Sequence, residues 1–442
     1  MSRKRLAGDW KDVSSLGALR SVVSRYGGIV RWFADCLNDP GDQKLYAAMA
    51  APTYANELVP GISGSPEITT GVGFTREEAR RSAVGEAIER YCGSYYVRSG
   101  MALASWRELK GAVHPERFAW FHPDQYLQED FPFVRFTEDT KVRWVPGYNL
   151  TRGQEVWVPA AAVWENYLPG EDEALVWRGL TTGLSCAPTA EEAVLRGILE
   201  IVERDSYSIM WHNKLSLPRL NVESNKRLHE IYQQYFAAEH FRYHLVDTTT
   251  TLGIPAVCAI MKAPNGRTIV GAASRPSLEE ACIKALCEIA QQWMGCRYLS
   301  TKYIHFTLTP DEVEDFVLRP FFYCDELNHS HAAFVYQSTV ENDVPAGKWL
   351  SELNVTEELD KCIAALERNG LEVIAVDITL PDVRQLGLHV YRVIVPGAVD
   401  ITRSEKEKVA GGTRLYQVPV EMGYLDRPYT YHELNPMPHP LP

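Results

Sequence analysis

Glutamate recurs at a fixed position in three similar segments of the chain, which begin at Gly71, Gly183 and Gly271. Each segment starts with glycine and small residues, reaches a Thr or Ser, and continues with Glu-Glu-Ala. Seven residues after that alanine every segment has a glutamate, and two of the segments go on to Glu-Arg. Because an α-helix turns by about 100° per residue, this spacing places the side chains on one stripe. The carboxylates of the stripe are Glu86, Glu89, Glu200, Glu203 and Glu288.

The predicted helices are apolar around most of their circumference, which is unusual for helices that carry several acids. In the second segment the remaining positions are Val194, Leu195, Ile198, Leu199, Ile201 and Val202. A surface helix normally shows the opposite pattern, an apolar stripe on a polar wheel. One such helix alone would fit a solvated face, but three of them favour carboxylates that point into an enclosed space. Small residues at the alanine of Glu-Glu-Ala and four residues after it would let a ligand approach the backbone.

Five carboxylates in one cavity would repel one another strongly at low dielectric. Either their pKa values rise, or cations neutralise them. Mg²⁺ prefers carboxylate oxygens and takes substrate phosphates as further ligands. Arg90, Arg204 and Lys284 lie in the same segments and offer donors for phosphate oxygens. The residues therefore predict a site for magnesium and a nucleotide phosphate, with structural salt bridges as the alternative.

The elements that position these residues are predicted from caps and periodicity. The Thr or Ser before Glu-Glu-Ala is typical of a helix N-cap. Elsewhere we predict a hairpin over Val142–Val163, strands over Phe241–Val246, Ile254–Met261 and Leu371–Ile378, helices over Asp311–Leu318 and Thr356–Asn369, and a strand followed by a helix within Ser21–Leu37. Alternating strands and helices indicate a mixed α/β or α+β fold, with three strand–Gly turn–helix units around one site.

Composition excludes several classes of protein. The chain has 442 residues and a formal net charge of −12, which disfavours nucleic-acid binding. No apolar run approaches the ~18 residues of a membrane span, and the basic start is not followed by a signal-peptide core. Nine cysteines without a Cys-x-x-Cys pair indicate reduced thiols, and hence a cytoplasmic protein. We expect one integrated domain over 61–442, with residues 1–60 packed on it.

At the glutamate segments the sequence resembles the YcaO family. The family pattern Ser-x-x-x-Glu-x-x-Glu-Arg is matched by Ser82, Glu86, Glu89 and Arg90, and its second Glu-x-x-Glu-Arg element by Glu200, Glu203 and Arg204. In the third element Glu288 fits, but Lys284 stands where Gln is expected. The resemblance implies a YcaO-type fold with ATP and Mg²⁺ as cofactors. It implies metal ligands at Glu86, Glu89, Glu200 and Glu203, and nucleotide contacts at Ser82, Arg90, Arg204, Lys284 and Glu288.

The chain ends in a proline-rich tail, residues 435–442, with the sequence NPMPHPLP. By itself such a tail indicates a disordered end or a polyproline ligand. A terminal Pro-x-Pro-x-Pro resembles the YcaO members that form azoline rings, whose tail enters the active site and offers its terminal carboxylate. The resemblance thus implies an ATP-dependent cyclodehydratase that converts Cys, Ser or Thr of a ribosomal precursor peptide to thiazoline or oxazoline. The catalytic carboxylate would be that of Pro442.

The same resemblance implies partners and leaves alternatives. We expect a precursor peptide with a leader, a separate protein that binds the leader, a flavin-dependent azoline dehydrogenase and a homodimer, but no nucleic acid and no membrane. Two other functions stay open: a YcaO enzyme that forms thioamides or amidines, and a non-catalytic ATP-binding partner subunit.

Overall fold

The structure is a computed structural model that describes residues 21–53, 68–165, 167–263, 267–303, 308–314, 316, 318–323 and 325–441, without the side chains of 297–303 and Glu326. The strands in chain order are β1 Val30–Cys36, β2 Tyr46–Pro52, β3 Thr69–Gly73, β4 Ala102–Ala104, β5 Val142–Asn149, β6 Gln154–Pro159, β7 Leu184–Ala187, β8 Arg219–Asn221, β9 Arg242–Asp247, β10 Ala256–Lys262, β11 Thr268–Ser274, β12 Glu341–Asp343, β13 Ile374–Asp377 and β14 His389–Ile394. The α-helices are α1 Arg76–Ser94, α2 Ala190–His212, α3 Lys226–Ile231, α4 Leu278–Tyr303, α5 Arg319–Phe322, α6 Val355–Arg368, α7 Pro381–Gln385 and α8 Arg414–Glu421.

The described residues group into two compact units, each drawn from separate stretches of the chain. Unit 1 comes from the described parts of Met1–Cys36, Tyr46–Ile198 and Val355–Gly397, and unit 2 from the described parts of Leu37–Leu45, Leu199–Asn354 and Ala398–Pro442. In unit 1, β1–β2–β3 form one antiparallel sheet, while β4–β5–β13–β14–β7 form another with β6 paired to β5. Unit 2 contains the sheet β11–β10–β9–β8–β12, in which β12 runs parallel to β8.

The three predicted strand–turn–helix units are confirmed, since β3 leads into α1, β7 into α2 and β11 into α4. Each helix is capped as the sequence indicates. The hydroxyls of Thr75, Thr189 and Ser277 accept the backbone N–H of the residue three positions on, at 3.2, 3.1 and 3.3 Å. The caps satisfy amide donors that have no intrahelical partner, which is why all three helices begin at this motif.

Other predicted elements divide into confirmed and wrong. The hairpin is confirmed by β5 and β6, the strands by β9, β10 and β13, and the second predicted helix by α6. The helix over Asp311–Leu318 is wrong: the described part of that stretch forms a short 3-10 turn, Pro310–Glu312, and Val313 then leaves the helical backbone region. The helix expected near the end of Ser21–Leu37 is also wrong, because β1 occupies that stretch and pairs with β2. Tertiary pairing overrides weak local preference in such short segments.

The predicted N-terminal segment shares a sheet with the segment that follows it. Strands β1 and β2 precede residue 60, whereas β3 follows it, and β2 pairs with both. The boundary placed at residues 60 and 61 lies outside the described residues and stays a prediction. No helix within the described part of the chain is both long and apolar enough to cross a bilayer.

Helix α1 packs closely on β3 at a glycine, and this contact predicts a stability difference between two alanine substitutions. A Cβ on Gly71 would lie 2.4 Å from the carbonyl oxygen of Ala79 and 2.4 Å from the amide nitrogen of Ala83. We expect Gly71→Ala to lower the free energy of unfolding by about 1–3 kcal/mol, because backbone atoms must move. Gly85→Ala is the matched control on the same helix, since nothing lies within 4 Å of the added Cβ.

In a helix interior that control substitution should raise the free energy of unfolding by about 0.5–1 kcal/mol. Urea unfolding of both variants measures whether each substitution lowers or raises the free energy of unfolding. Equal effects of the two substitutions would contradict the close packing of β3 on α1.

Candidate functional site

In unit 1 the predicted residues Glu86 and Arg90 contact each other, and Glu165, which was not predicted, also contacts Arg90. Together with the predicted Glu89 we call these residues the α1 cluster. Arg90 Nη2 lies 3.4 Å from Glu86 Oε1, and Arg90 Nη1 lies 3.3 Å from Glu165 Oε1. The Glu86 side chain is 30% exposed to solvent, and that of Arg90 is 21% exposed. The carboxylates are therefore partly accessible to solvent, and are neither fully enclosed nor freely solvated.

Glu89 and Ser82 occupy different environments on α1. Glu89 Oε2 accepts the backbone N–H of Cys186, on β7, at 3.1 Å, so one carboxylate oxygen is held in place by a strand. Burial and the nearby Glu89 carboxylate raise the pKa of the Cys186 thiol well above its usual value, which keeps it neutral. Ser82 lies on the exposed part of α1, one helical turn before Glu86.

In unit 2 the predicted residues lie on two helices, α2 and α4, and form the α2–α4 cluster: Glu200, Glu203, Arg204, Lys284 and Glu288. On α2, Arg204 Nη2 lies 3.6 Å from Glu200 Oε1, and Arg204 Nε lies 3.3 Å from Glu203 Oε1. On α4, Lys284 Nζ lies 2.5 Å from Glu288 Oε1. Each acid thus has a basic neighbour on its own helix, one turn away or adjacent in sequence.

The two helices of this cluster share one electrostatic environment. Burial raises the pKa of Glu203 to about 7, and the Glu200 and Glu288 carboxylates add to this rise while Arg204 opposes it. Burial would also raise the pKa of Glu288, but Lys284, Arg275 and Arg204 outweigh it and hold that pKa below its ordinary value. The lysine that replaces the expected glutamine therefore neutralises Glu288 directly.

The carboxylate and cation sets fit a magnesium–nucleotide complex in their chemistry. Their acids offer hard oxygen ligands, and their arginines and lysine offer donors for phosphate oxygens. Among the described residues, however, no three His, Cys, Asp or Glu side chains converge closely enough to hold a metal ion by themselves. In the described parts of the chain the glutamates pair with basic side chains or a backbone amide instead. Mg²⁺ usually takes one or two carboxylates and fills its shell with water and phosphate.

Small residues on the stripes serve packing within their own units. The backbone of Ala79 and Ala83 packs against Gly71, and Gly197 packs against Val393. A Cβ added to Gly271 would lie 2.5 Å from the Ala285 carbonyl oxygen. The expectation that these positions leave room for a ligand is therefore wrong at Ala79, Ala83, Gly197 and Ala285. The preceding strand or a neighbouring strand fills the space.

Sequence reasoning missed residues that support the clusters from elsewhere in the chain. Glu165 is 75 residues from Arg90, and no motif surrounds it. Arg275 lies inside the third glutamate segment and could have been noticed there. Asp205 directly follows the Glu-Arg pair of α2, is fully buried, and binds Arg414 Nη2 at 2.6 Å. Its other oxygen accepts the Val399 amide at 2.9 Å.

The proline-rich tail lies along α2 in the antiparallel direction. The Asn435 amide donates to the His212 carbonyl at 2.7 Å, and Trp211 Nε1 donates to the Met437 carbonyl at 2.9 Å. The His439 ring meets the Tyr207 ring edge-on at 5.6 Å, and the backbone of Leu441 lies beside the Tyr207 hydroxyl. As residue numbers rise along the tail, they fall along α2 toward Arg204. Pro442 itself lies outside the described residues.

A family model for "YcaO cyclodehydratase, ATP- and Mg²⁺-binding" matches residues 70–399. The chain belongs to the YcaO family. An uncharacterized protein of Methanothermobacter thermautotrophicus is 28% identical over 355 residues, 78% of this chain and 85% of that protein. A heterocyclase solved in complex with substrate and cofactor superposes with a TM-score of 0.79 at 24% identity, covering 97% of this chain. YcaO from Methanopyrus kandleri, bound with AMPPCP and Mg²⁺, gives 0.58 at 23% identity, covering 84% of this chain and 86% of that one.

Family membership confirms the predicted mixed α/β fold, the enzyme class and the cofactors. The description of its family makes this YcaO chain one of the ATP-dependent cyclodehydratase type, with ATP and Mg²⁺ as cofactors. It spans 57% of the length of the heterocyclase that it resembles. The individual ligand assignments, from Ser82 to Glu288, stay predictions.

Proposed function

We propose that this YcaO chain closes azoline rings in a ribosomal precursor peptide, using Cys, Ser or Thr side chains and ATP. The observation that carries this proposal is the path of the tail: residues 435–441 follow α2 toward Glu203 and Arg204. A tail that ends beside a phosphate-binding helix is suited to bring a terminal carboxylate to the reacting atoms. A tail used only as a flexible ligand for another protein would not be buried along its own helix.

The proposed roles divide between acids and bases. Glu86, Glu89, Glu200 and Glu203 would hold Mg²⁺, and the nucleotide would be held by Ser82, Arg90, Arg204, Lys284 and Glu288. When bound, the metal supplies positive charge to the phosphate oxygens. Arg204 now pairs with two glutamates, so metal binding would release its guanidinium for phosphate. Lys284 would act as a point charge on the phosphates rather than as an amide donor.

The reaction balances with ATP as the only co-reactant. The side-chain sulfur or oxygen of the substrate residue attacks the carbonyl carbon of the preceding amide, and a C–S or C–O bond forms as the thiol or hydroxyl proton leaves. The former amide oxygen takes the γ-phosphoryl group of ATP, which releases ADP. The bond between the former carbonyl carbon and the phosphorylated oxygen then breaks, and phosphate departs. The amide nitrogen loses its proton as the C=N bond forms. The peptide loses the mass of one water for each ring.

We assign the removal of the proton during ring formation to the tail. The terminal carboxylate of Pro442 would accept the proton lost during ring formation, as a general base held in a fixed place. Proline restricts the unbound tail, so ordering it against α2 costs less conformational entropy than ordering an ordinary segment. Apart from Glu165, the acids of the α1 and α2–α4 clusters are assigned to metal and nucleotide, so the proposal gives this step to the tail.

The proposed partners follow from the substrate. A leader-containing precursor peptide needs a surface that captures the leader, and we place it on a separate partner protein. A flavin-dependent dehydrogenase that oxidises the azolines, a cytoplasmic location and a homodimer belong to the same proposal.

Mass spectrometry of the precursor peptide tests the proposed reaction. We expect the chain, its leader-binding partner, ATP and Mg²⁺ to remove one water mass per ring from the precursor encoded beside it. A heavy-oxygen label placed in the substrate amide should appear in inorganic phosphate, because that oxygen takes the phosphoryl group. Loss of water without transfer of the label would contradict the phosphorylation step. A product that forms only with added sulfide would instead indicate thioamide formation.

A further inference from the structure

Proline limits how the tail can be held. In residues 435–442 only Asn435, Met437, His439 and Leu441 carry a backbone N–H, because the alternate positions are proline. Such a segment cannot pair continuously as a strand. Apart from the Asn435 amide, which donates to the His212 carbonyl, its position depends on its carbonyl oxygens and side chains.

Buried side chains of unit 2 supply donors for these carbonyl oxygens. The pairs are Lys408 Nζ with Asn435 O at 2.7 Å, Trp211 Nε1 with Met437 O at 2.9 Å, and Tyr323 Oη with Pro438 O at 2.6 Å. Each donor residue is at most 6% exposed. Carbonyl contacts of this kind hold the tail against α2, but they do not distinguish one residue type from the next. They leave the register of the tail open to a shift.

Two contacts depend on a residue type of the tail: at its start the Asn435 side-chain amide donates to the Trp211 carbonyl at 3.2 Å, and nearer its end a buried arginine contacts His439. Arg319, which is fully buried, brings Nη1 to the ring of His439, 2.7 Å from Nδ1 and closer to Nε2, and donates through Nη2 to the Thr402 carbonyl. His439 Nε2 lies 3.1 Å from the same Thr402 oxygen. The three groups form a closed triangle. Burial and the Arg319 charge lower the pKa of His439 well below its usual value, which keeps one ring nitrogen as an acceptor.

We propose that Arg319 is a positioning residue that sets the register of the tail along α2. A shift of the tail by one residue would place Pro438 or Pro440 against the guanidinium, and proline offers no side-chain acceptor. His439 is also the point where the tail crosses Tyr207, one helical turn beyond Glu203 and Arg204. Arg319 thereby fixes how far the chain end reaches along the helix. The consequence for catalysis rests on the proposed function, but the register itself does not.

Hydrogen exchange of the tail tests the register directly. In Arg319→Met we expect the amides of Met437, His439 and Leu441 to exchange at least about tenfold faster than in the native chain, because a buried hydrogen bond to a charged group is lost. Arg427→Gln is the control, since Arg427 is 62% exposed and pairs with Glu433 just before the tail. Its tail exchange should match the native chain.

His439→Leu removes the same contact from the tail side, and it keeps the proposal testable if Arg319→Met fails to fold. The double variant should exchange no faster than the faster single variant, since both substitutions break one contact. Native exchange rates in a folded Arg319→Met or His439→Leu protein would overturn the proposal, as would additive effects in the double variant. These outcomes do not depend on any ring being formed.

The catalytic readout separates positioning from nucleotide binding. Both single variants should lower kcat for ring formation at least about tenfold and leave the KM for ATP within about twofold, while a general loss of structure would change both. If the tail amides exchange faster but kcat for ring formation is unchanged, the catalytic part of the proposal is overturned. If the native chain itself forms no rings, the proposed function fails, and the exchange experiment still decides the role of Arg319.

Discussion

A chain that ends at Met437 should still bind ATP, but its rate of ring formation should fall by a factor of about 10² or more. A positioned general base typically contributes 10²–10⁴-fold to a rate, and this truncation removes the proposed base with the residues that present it. The nucleotide contacts lie on α1, α2 and α4, so the affinity for ATP should stay within a few-fold of the native value. Isothermal titration with AMPPCP and Mg²⁺ measures binding, and mass spectrometry of the precursor measures rings.

A longer chain provides the matched control for this truncation. Two glycines added after Pro442 leave every residue of the tail in place but move the terminal carboxylate by up to about 7 Å. If the carboxylate is the base, the extended chain should lose ring formation nearly as severely as the truncated one. Full activity of the extended chain would show that the tail acts through its buried contacts alone. Full activity of the truncated chain would remove the tail from the mechanism.

The fold elements that could be predicted are those that depend on local spacing. The caps at Thr75, Thr189 and Ser277, and the apolar circumference of α2, follow from residues within one or two helical turns, and the structure places them as expected. The strand β1 differs from the prediction because its backbone is set by pairing with β2, whereas the turn Pro310–Glu312 is closed by a local cap between Thr309 and Glu312 and ends at Val313. Local preference in such short segments is small compared with tertiary packing.

The partners of the site residues show the same limit. Sequence spacing finds Glu86, Arg90, Glu200 and Arg204, because each acid and base are separated by one helical turn. It does not find Glu165, or the contact between Arg319 and His439, which are 120 residues apart. Such pairs are set by the packing of distant segments, and a single sequence contains no periodic signal for them. Lys284 is intermediate: its departure from the family pattern is visible, but its neutralisation of Glu288 is visible only in the structure.

Arg204→Gln should reduce ATP turnover by a factor of about 10² or more, and a second ion pair on α2 makes this prediction specific. Arg196 Nη2 lies 2.6 Å from Glu192 Oε1, with the same four-residue spacing as Glu200 and Arg204. The Arg196 side chain is 52% exposed, whereas that of Arg204 is 18% exposed. Removing one donor that stabilises developing charge in an enclosed site costs about 10²–10³-fold. Arg196→Gln removes an exposed pair and should change turnover less than twofold.

The Arg204 variant also changes the acids around it, and this gives a second signature. Arg204 opposes the rise in the pKa of Glu203, which already stands at about 7, so its loss should raise that pKa further. A protonated Glu203 is a poorer metal ligand, and the Mg²⁺ concentration for half-maximal turnover should therefore increase in Arg204→Gln but not in Arg196→Gln. Thermal unfolding of both proteins controls for folding. If the two substitutions lower turnover equally, or if the Mg²⁺ requirement is unchanged in a folded Arg204 variant, then Arg204 is a structural ion-pair partner, and the assignment of α2 to phosphate and metal is wrong.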